Sequence, residues 1–253
     1  MTYFVYDGSF EGFCTAVFEV YECKPAQPRI RKMTGEMPVL FAEQMSVLTD
    51  EKKAARVILR LEALAGKDST ELLWKCYLSG IPGIEDAMLG AIRYALREQR
   101  DIFNDFGDPH VLILRQTEKK MRRERHRMTA FVRFMLGKDN LYYALIEPDF
   151  DVLPLLTSHF SGRYADQRWL IYDTRRTYGI YYDLETVQFV YPGTETTQHS
   201  ITSLVLEESE ELYQQLWSDY FKSTTIKARK NMKLHLQHVP RRYWKYLPEK
   251  IRS

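Results

Sequence analysis

Three carboxylates stand close together in Glu147-Pro148-Asp149-Phe150-Asp151. Hard oxygen ligands of this kind could hold Mg²⁺ for phosphodiester chemistry. A strand-end turn followed by a helix cap at Asp151 accounts for the same residues. The turn is preferred, because no neighbouring motif supplies an outer shell of metal-orienting groups. His159 and Arg163 lie four apart on a predicted helix and so share a face. They could act as a general base and an anion-holding arginine, but a partly buried polar pair is the simpler reading. Gly8-Ser9-Phe10-Glu11-Gly12 matches neither a P-loop, nor a nucleophile elbow, nor a dinucleotide fingerprint. Ser9 reads as a turn or cap residue.

The stronger chemical signal is cationic. Lys119 to Arg133 holds seven Lys/Arg against Glu124 alone, a net +6, and Lys222 to Ser253 holds ten against Glu249 alone, a net +9. The whole chain carries only +2, which leaves −13 for everything else. An acidic body with two basic segments points to an anionic partner. In the first segment Arg122, Arg123, Arg125 and Arg127 could form a phosphate-facing stripe, since each neutralised phosphate releases counterions. In the second, Arg229, Lys230 and Asn231 precede Arg241, Arg242, Tyr243 and Trp244. Cations interleaved with rings suit a single strand, whose phosphates pair while its bases stack. The competing reading is a clasp: the aromatic block between Pro240 and Pro248 docks on the domain and its charges stay solvated. Arg163 joins this set as a further candidate phosphate contact.

Other functions are disfavoured. Cys14, Cys23 and Cys76 show no C-x-x-C spacing, which argues against a zinc site, a disulfide framework or a chain-borne iron–sulfur cluster; free buried thiols are expected, and no cofactor. No apolar run approaches the ~20 residues that span a bilayer, so no membrane partner is expected. The N-terminus lacks the basic start and apolar core of a signal peptide, which predicts a cytoplasmic protein.

The elements that must position these groups follow from periodicity. A strand at Tyr3 to Tyr6 turns at Asp7-Gly8-Ser9 into a helix from Phe10 to Tyr21, and the Pro-containing stretch after Cys23 reads as a loop. Helices are expected from Asp50 to a Gly66 cap and from Ile84 to Phe103. After the basic run, Met128 to Met135 and Leu141 to Ile146 flank Gly137-Lys138-Asp139-Asn140 as a hairpin. A helix over Asp151 to Tyr164 then leads to an antiparallel meander of Trp169 to Tyr172, Ile180 to Tyr182 and Val187 to Tyr191. A last helix starts near Glu207. The fold class is α+β: a helical N-terminal half, a central antiparallel sheet with covering helices, and a basic helical C-terminus. Residues 1–253 form one family domain, with a subdivision into 1–106 and 118–253 as an option.

Several segments together resemble a bacterial family identified only as probable DNA metabolism proteins. They are F-V-Y-D-G-S-F-E-G-F-C-T-A-V-F-E-V-Y-E from Phe4, R-H-R-M-T-A-F-V-R-F from Arg125, Y-Y-A-L-I-E-P-D-F-D-V-L-P-L-L from Tyr142, H-F-S-G-R-Y from His159, W-L-I-Y-D from Trp169, and A-R-K-N to R-R-Y-W-K-Y-L-P-E. The resemblance implies a role beside a DNA-acting enzyme. In that family the gene neighbours one for a radical S-adenosylmethionine (radical SAM) protein of DNA modification or repair, and a related domain is fused to uracil-DNA-glycosylase-like domains. Phe150 stands where the family's pattern often has histidine; if that histidine acts chemically in the family, its loss here argues against catalysis. The expectation is therefore an accessory protein of DNA metabolism that binds single-stranded or distorted DNA and works with a radical SAM partner. The rivals are an enzyme using Glu147, Asp149 and Asp151 or His159 and Arg163, and a protein-interaction subunit that never touches DNA.

Overall fold

A computed structural model describes residues 1–33, 43–137, 140–191 and 239–247. The chain divides into two compact units, Met1–Met121 and Arg122–Ser253. The division falls within a helix, beyond residues 106–117, where continuity in the sequence is weakest.

Unit 1 is built on a small parallel sheet. Strand β1 (Thr2–Tyr6) lies between β2 (Pro28–Lys32) and β3 (Glu43–Ser46), with Phe4 opposite both Ile30 and Met45. The stretch after Cys23, expected as a loop, is thus partly a strand. One apolar residue, Ile30, is enough because it is wholly buried against Phe4. Helix α1 (Phe10–Cys23) starts at Ser9, whose hydroxyl accepts the Gly12 N–H at 2.9 Å and so satisfies one of the first-turn donors. Its buried face carries Phe13, Ala16, Val17 and Val20. The Phe and Val side chains each contribute about 1.5–3 kcal/mol on burial. Helix α2 (Glu51–Ala65) begins at an Asp50 cap and stops at Gly66, as the spacing predicts, and α3 (Lys67–Leu78) follows directly.

Helix α4 (Ile84–Glu98) ends earlier than Phe103. Gln99 adopts a left-handed conformation, φ 52°, and closes the helix, while Ile102 and Phe103 are buried beyond its end. The apolar period continues through a turn that is no longer helical. Cys14 and Cys76 are buried free thiols as expected, but Cys23 is exposed.

Helix α5 (Pro109–Phe131) carries the first basic segment. Asp108 accepts the N–H groups of His110 (2.9 Å) and Val111 (3.0 Å), and Pro109 occupies the first turn, where its missing donor is harmless. The His110 ring lies against α4 at Gly90, where a Cβ would come within 2.4 Å of it. The inward stripe of α5 reads Val111, Leu114, Thr117, Met121, Glu124 and Met128, steps of three and four residues. Met128 to Phe131, expected as strand, therefore belong to this helix.

Unit 2 holds a five-stranded sheet in the order β4 (Met135–Leu136), β5 (Tyr142–Ile146), β6 (Trp169–Asp173), β7 (Tyr178–Tyr182), β8 (Val187–Val190). The hairpin around Gly137 and the β6–β8 meander are antiparallel as expected. β5 and β6 are parallel, with Ala144 opposite Ile171, so the sheet is mixed. Helix α6 (Leu153–Arg163) lies between them in the chain, and parallel neighbours require such a crossover. A 3₁₀ turn, Arg241–Tyr246, is the described part of the basic C-terminus. No described helix is long and apolar enough to cross a membrane.

Candidate functional site

The two faces of α5 differ in character. Arg122, Arg123, Arg125 and His126 are exposed, Arg127 is half-buried, and the preceding turn of the same helix exposes Lys119 and Lys120. The one acid of the run, Glu124, is only 1% exposed because it falls on the inward stripe with Met121 and Met128. Among the described residues Arg122, Arg123 and Arg125 take part in no ion pair. The outer face is therefore cationic without an interspersed acid.

Glu124 is the hub of the inner face. One carboxylate oxygen accepts the Asp149 N–H at 2.9 Å and the Tyr243 hydroxyl; the other faces Arg127 and Arg242, each at 3.5 Å. Tyr243 is 2% exposed and its ring lies 5.5 Å from that of Phe131. Burial, then its hydrogen bond to Glu124, pushes its phenol well above the ordinary range. Arg242 donates to the Tyr243 hydroxyl at 2.6 Å and pairs with Asp149 at 2.6 Å. On the same turn Lys245 pairs with Glu147, and Tyr246 donates to it at 2.8 Å. Those two contacts, Lys245 first, hold the Glu147 carboxyl below its usual value. Tyr246 also meets the Thr174 hydroxyl at 3.0 Å.

The three carboxylates of Glu147 to Asp151 thus turn to separate partners. Val152 rather than Asp151 holds the N-cap position of α6, although the Asp151 carboxyl still accepts the Leu153 N–H of the first turn. Its carboxyl also accepts the Tyr178 hydroxyl, and burial raises its pKa despite these bonds. The turn itself is held from below by Arg176, which donates to the Pro148 and Asp149 carbonyls at 3.0 and 2.9 Å and to Asp173 at 2.8 Å. Among the described residues no three His, Cys, Asp or Glu side chains gather as a metal site. His159 and Arg163 do share a face of α6, yet both are exposed rather than partly buried. Arg163 lies 5.8 Å from the Tyr164 ring.

The nucleic-acid candidates therefore separate. Arg122, Arg123 and Arg125 face outward, as does Arg241, which lies 5.9 Å over the half-buried Trp244 ring. Tyr243 is enclosed, and Arg242 is engaged by two carboxylates, which is the clasp arrangement. Arg229, Lys230, Asn231 and the helix expected from Glu207 lie outside the described residues.

A family model for a domain of unknown function, DUF4130, matches residues 82–249. The chain belongs to the DUF4130 family. The matched DUF4130 segment takes in α4, α5, the turn from Glu147 to Asp151, the five-stranded sheet and the C-terminal 3₁₀ turn. No curated protein matches the chain.

Glu124, Thr174, Arg176 and Tyr178 had no place among the sequence candidates. For Glu124 a signal did exist: it is the lone acid of a basic run and falls in register with Leu114, Met121 and Met128. The others are brought to the site by sheet pairing, which leaves no local trace.

Proposed function

We propose that this DUF4130 protein is a nucleic-acid-contacting accessory factor that holds single-stranded or distorted DNA on the outer face of α5 for a separate DNA-acting enzyme. The observation that carries this reading is the sorting of charge on α5: Arg122, Arg123 and Arg125 face outward, while Glu124 is withdrawn to an internal network. A solvated helix face with no partner ordinarily mixes both signs, whereas a surface for polyanions benefits from the acid's removal. The exposed Arg241 beside Trp244 adds a cation and a ring to the same unit. The resemblance to probable DNA metabolism proteins supports DNA as the polyanion and a radical SAM protein as the enzyme. An independent catalyst is less well supported, because Glu147 and Asp149 are engaged by Lys245 and Arg242.

Purified protein is expected to retain a single-stranded oligonucleotide with an affinity that falls steeply with salt. Three to five phosphate contacts correspond to a log–log slope of roughly −2 to −3.5 on a single strand. Absence of retention even at low salt would remove the nucleic-acid reading. Co-expression with the radical SAM protein, followed by gel filtration with and without the oligonucleotide, tests the partnership. Separate elution in both runs would remove that part alone.

A further inference from the structure

We propose that residues 239–247 form a releasable clasp: docked, Arg242 and Lys245 are held by carboxylates of unit 2, and released, they bind phosphate. Clasp docking and polyanion binding therefore compete. This rests on the nucleic-acid reading above and adds a regulatory contact to it.

The chemistry of the docked contacts is the first support. Arg242, Tyr243, Lys245 and Tyr246 direct their polar groups to Glu124, Asp149 and Glu147, with the Thr174 hydroxyl as a further contact. Carboxylate and phosphate oxygens offer guanidinium and ammonium groups the same kind of anionic acceptor, so one can replace the other. The segment behaves as a tethered cationic ligand seated on an internal anionic surface.

The second support is how lightly the charges are held. In the Arg242–Asp149 pair the side chains are 39% and 43% exposed, and in the Lys245–Glu147 pair 57% and 38%. Pairs this open to water are weak and are screened by salt. The buried anchors are few, chiefly Tyr243 on a 3₁₀ turn of six residues and Leu247 just after it, a turn too short to be stable alone.

The third support is what remains when the turn leaves. Glu124 keeps the Asp149 N–H and Arg127, and the Glu147–Asp149 turn keeps Arg175 and Arg176, which donate to the Asp149 carbonyl at 3.4 and 2.9 Å. Release therefore leaves Glu124 beside Arg127 and the Glu147 carboxylate in the field of Arg175. The freed Arg242 and Lys245 add two positive charges to those already on α5. A mostly docked population binds polyanion through α5 alone, and the added affinity from Arg242 and Lys245 is scaled down in proportion as the released fraction is small.

Tyr246→Phe tests the clasp without changing any charge. It deletes the hydroxyl that reaches Glu147 and Thr174 and leaves the ring in place. The variant is expected to bind a single-stranded oligonucleotide about threefold more tightly at about 0.1 M salt, with a slope steeper by roughly one unit, as two further phosphate contacts begin to count. Thr174→Val, which loosens the same contact from the sheet side, should act in the same direction. In wild-type protein, amide exchange across 241–247 should quicken when the oligonucleotide is added. Binding by wild type with unchanged exchange there, and equal affinity in both variants, overturns the clasp and leaves the nucleic-acid reading intact. No retention of wild-type protein overturns both.

Discussion

Replacing Arg122, Arg123 and Arg125 together by alanine is expected to lower the affinity for single-stranded DNA by on the order of a hundredfold at about 0.1 M salt. The estimate follows from counterion release. Each phosphate contact adds roughly 0.7 to the log–log slope on a single strand, so three lost contacts remove about two units. The same two units amount to about two decades of affinity at that salt. The fold should tolerate the change, because all three side chains are exposed and none takes part in an ion pair among the described residues. Surface changes of this kind stay within about 0.5 kcal/mol in stability. Fluorescence anisotropy over a salt series measures affinity and slope together. A triple variant that binds like wild type would show that α5 is not the contact surface, whatever else the protein does.

The contrast with the C-terminal turn sharpens that result. Arg242 carries the same charge as Arg123, yet it already has two carboxylate neighbours, so its removal trades an internal partner for little direct loss at the phosphate. Charge counting along the sequence treats the two residues alike. Their environments separate them.

What the sequence made legible was local. Asp50 and Gly66 bracket α2 because a cap and a stop act within one turn, and the Gly137 hairpin and the β6–β8 meander follow from short connections. What it hid was long-range. β2 offers one apolar residue, and its pairing with β1 joins positions far apart in the chain, Ile30 to Phe4. The parallel β5–β6 pair was masked by its neighbours: three antiparallel connections made a fourth the natural guess. On the sequence pattern α5 is a basic run followed by a strand, because Thr117 and Glu124 interrupt its apolar stripe. The same interruption marks the candidate site. Glu124 meets Tyr243 from the far end of the chain, and no periodicity encodes that contact.

Removal of the Glu124 carboxylate should produce the largest loss of stability among single substitutions at this site. Glu124→Ala deletes the acceptor of the part-buried Asp149 N–H and the buried Tyr243 O–H, and takes a negative charge from beside Arg127 and Arg242. Breaking one side of a buried, hydrogen-bonded charge network costs up to about 3–5 kcal/mol where the remaining groups stay desolvated; here Tyr243 and Arg242 can leave with the clasp and rehydrate, so a loss of about 2–3 kcal/mol is expected. Arg242 retains Asp149, which moderates the loss. For a unit of this size the change corresponds to a fall in Tm on the order of 10 °C. Glu124→Gln keeps the shape and an acceptor oxygen, and should lose less than half as much. Two units need not melt together, so the effect is best read by amide exchange within residues 122–191 and 239–247. A cycle with Tyr243→Phe then isolates the pair: a coupling of about 1–3 kcal/mol is expected. Additive losses, or a Glu124→Ala protein within about 1 kcal/mol of wild type, would mean that Glu124 is turned inward without holding the clasp, and the charge sorting on α5 would lose its structural cause.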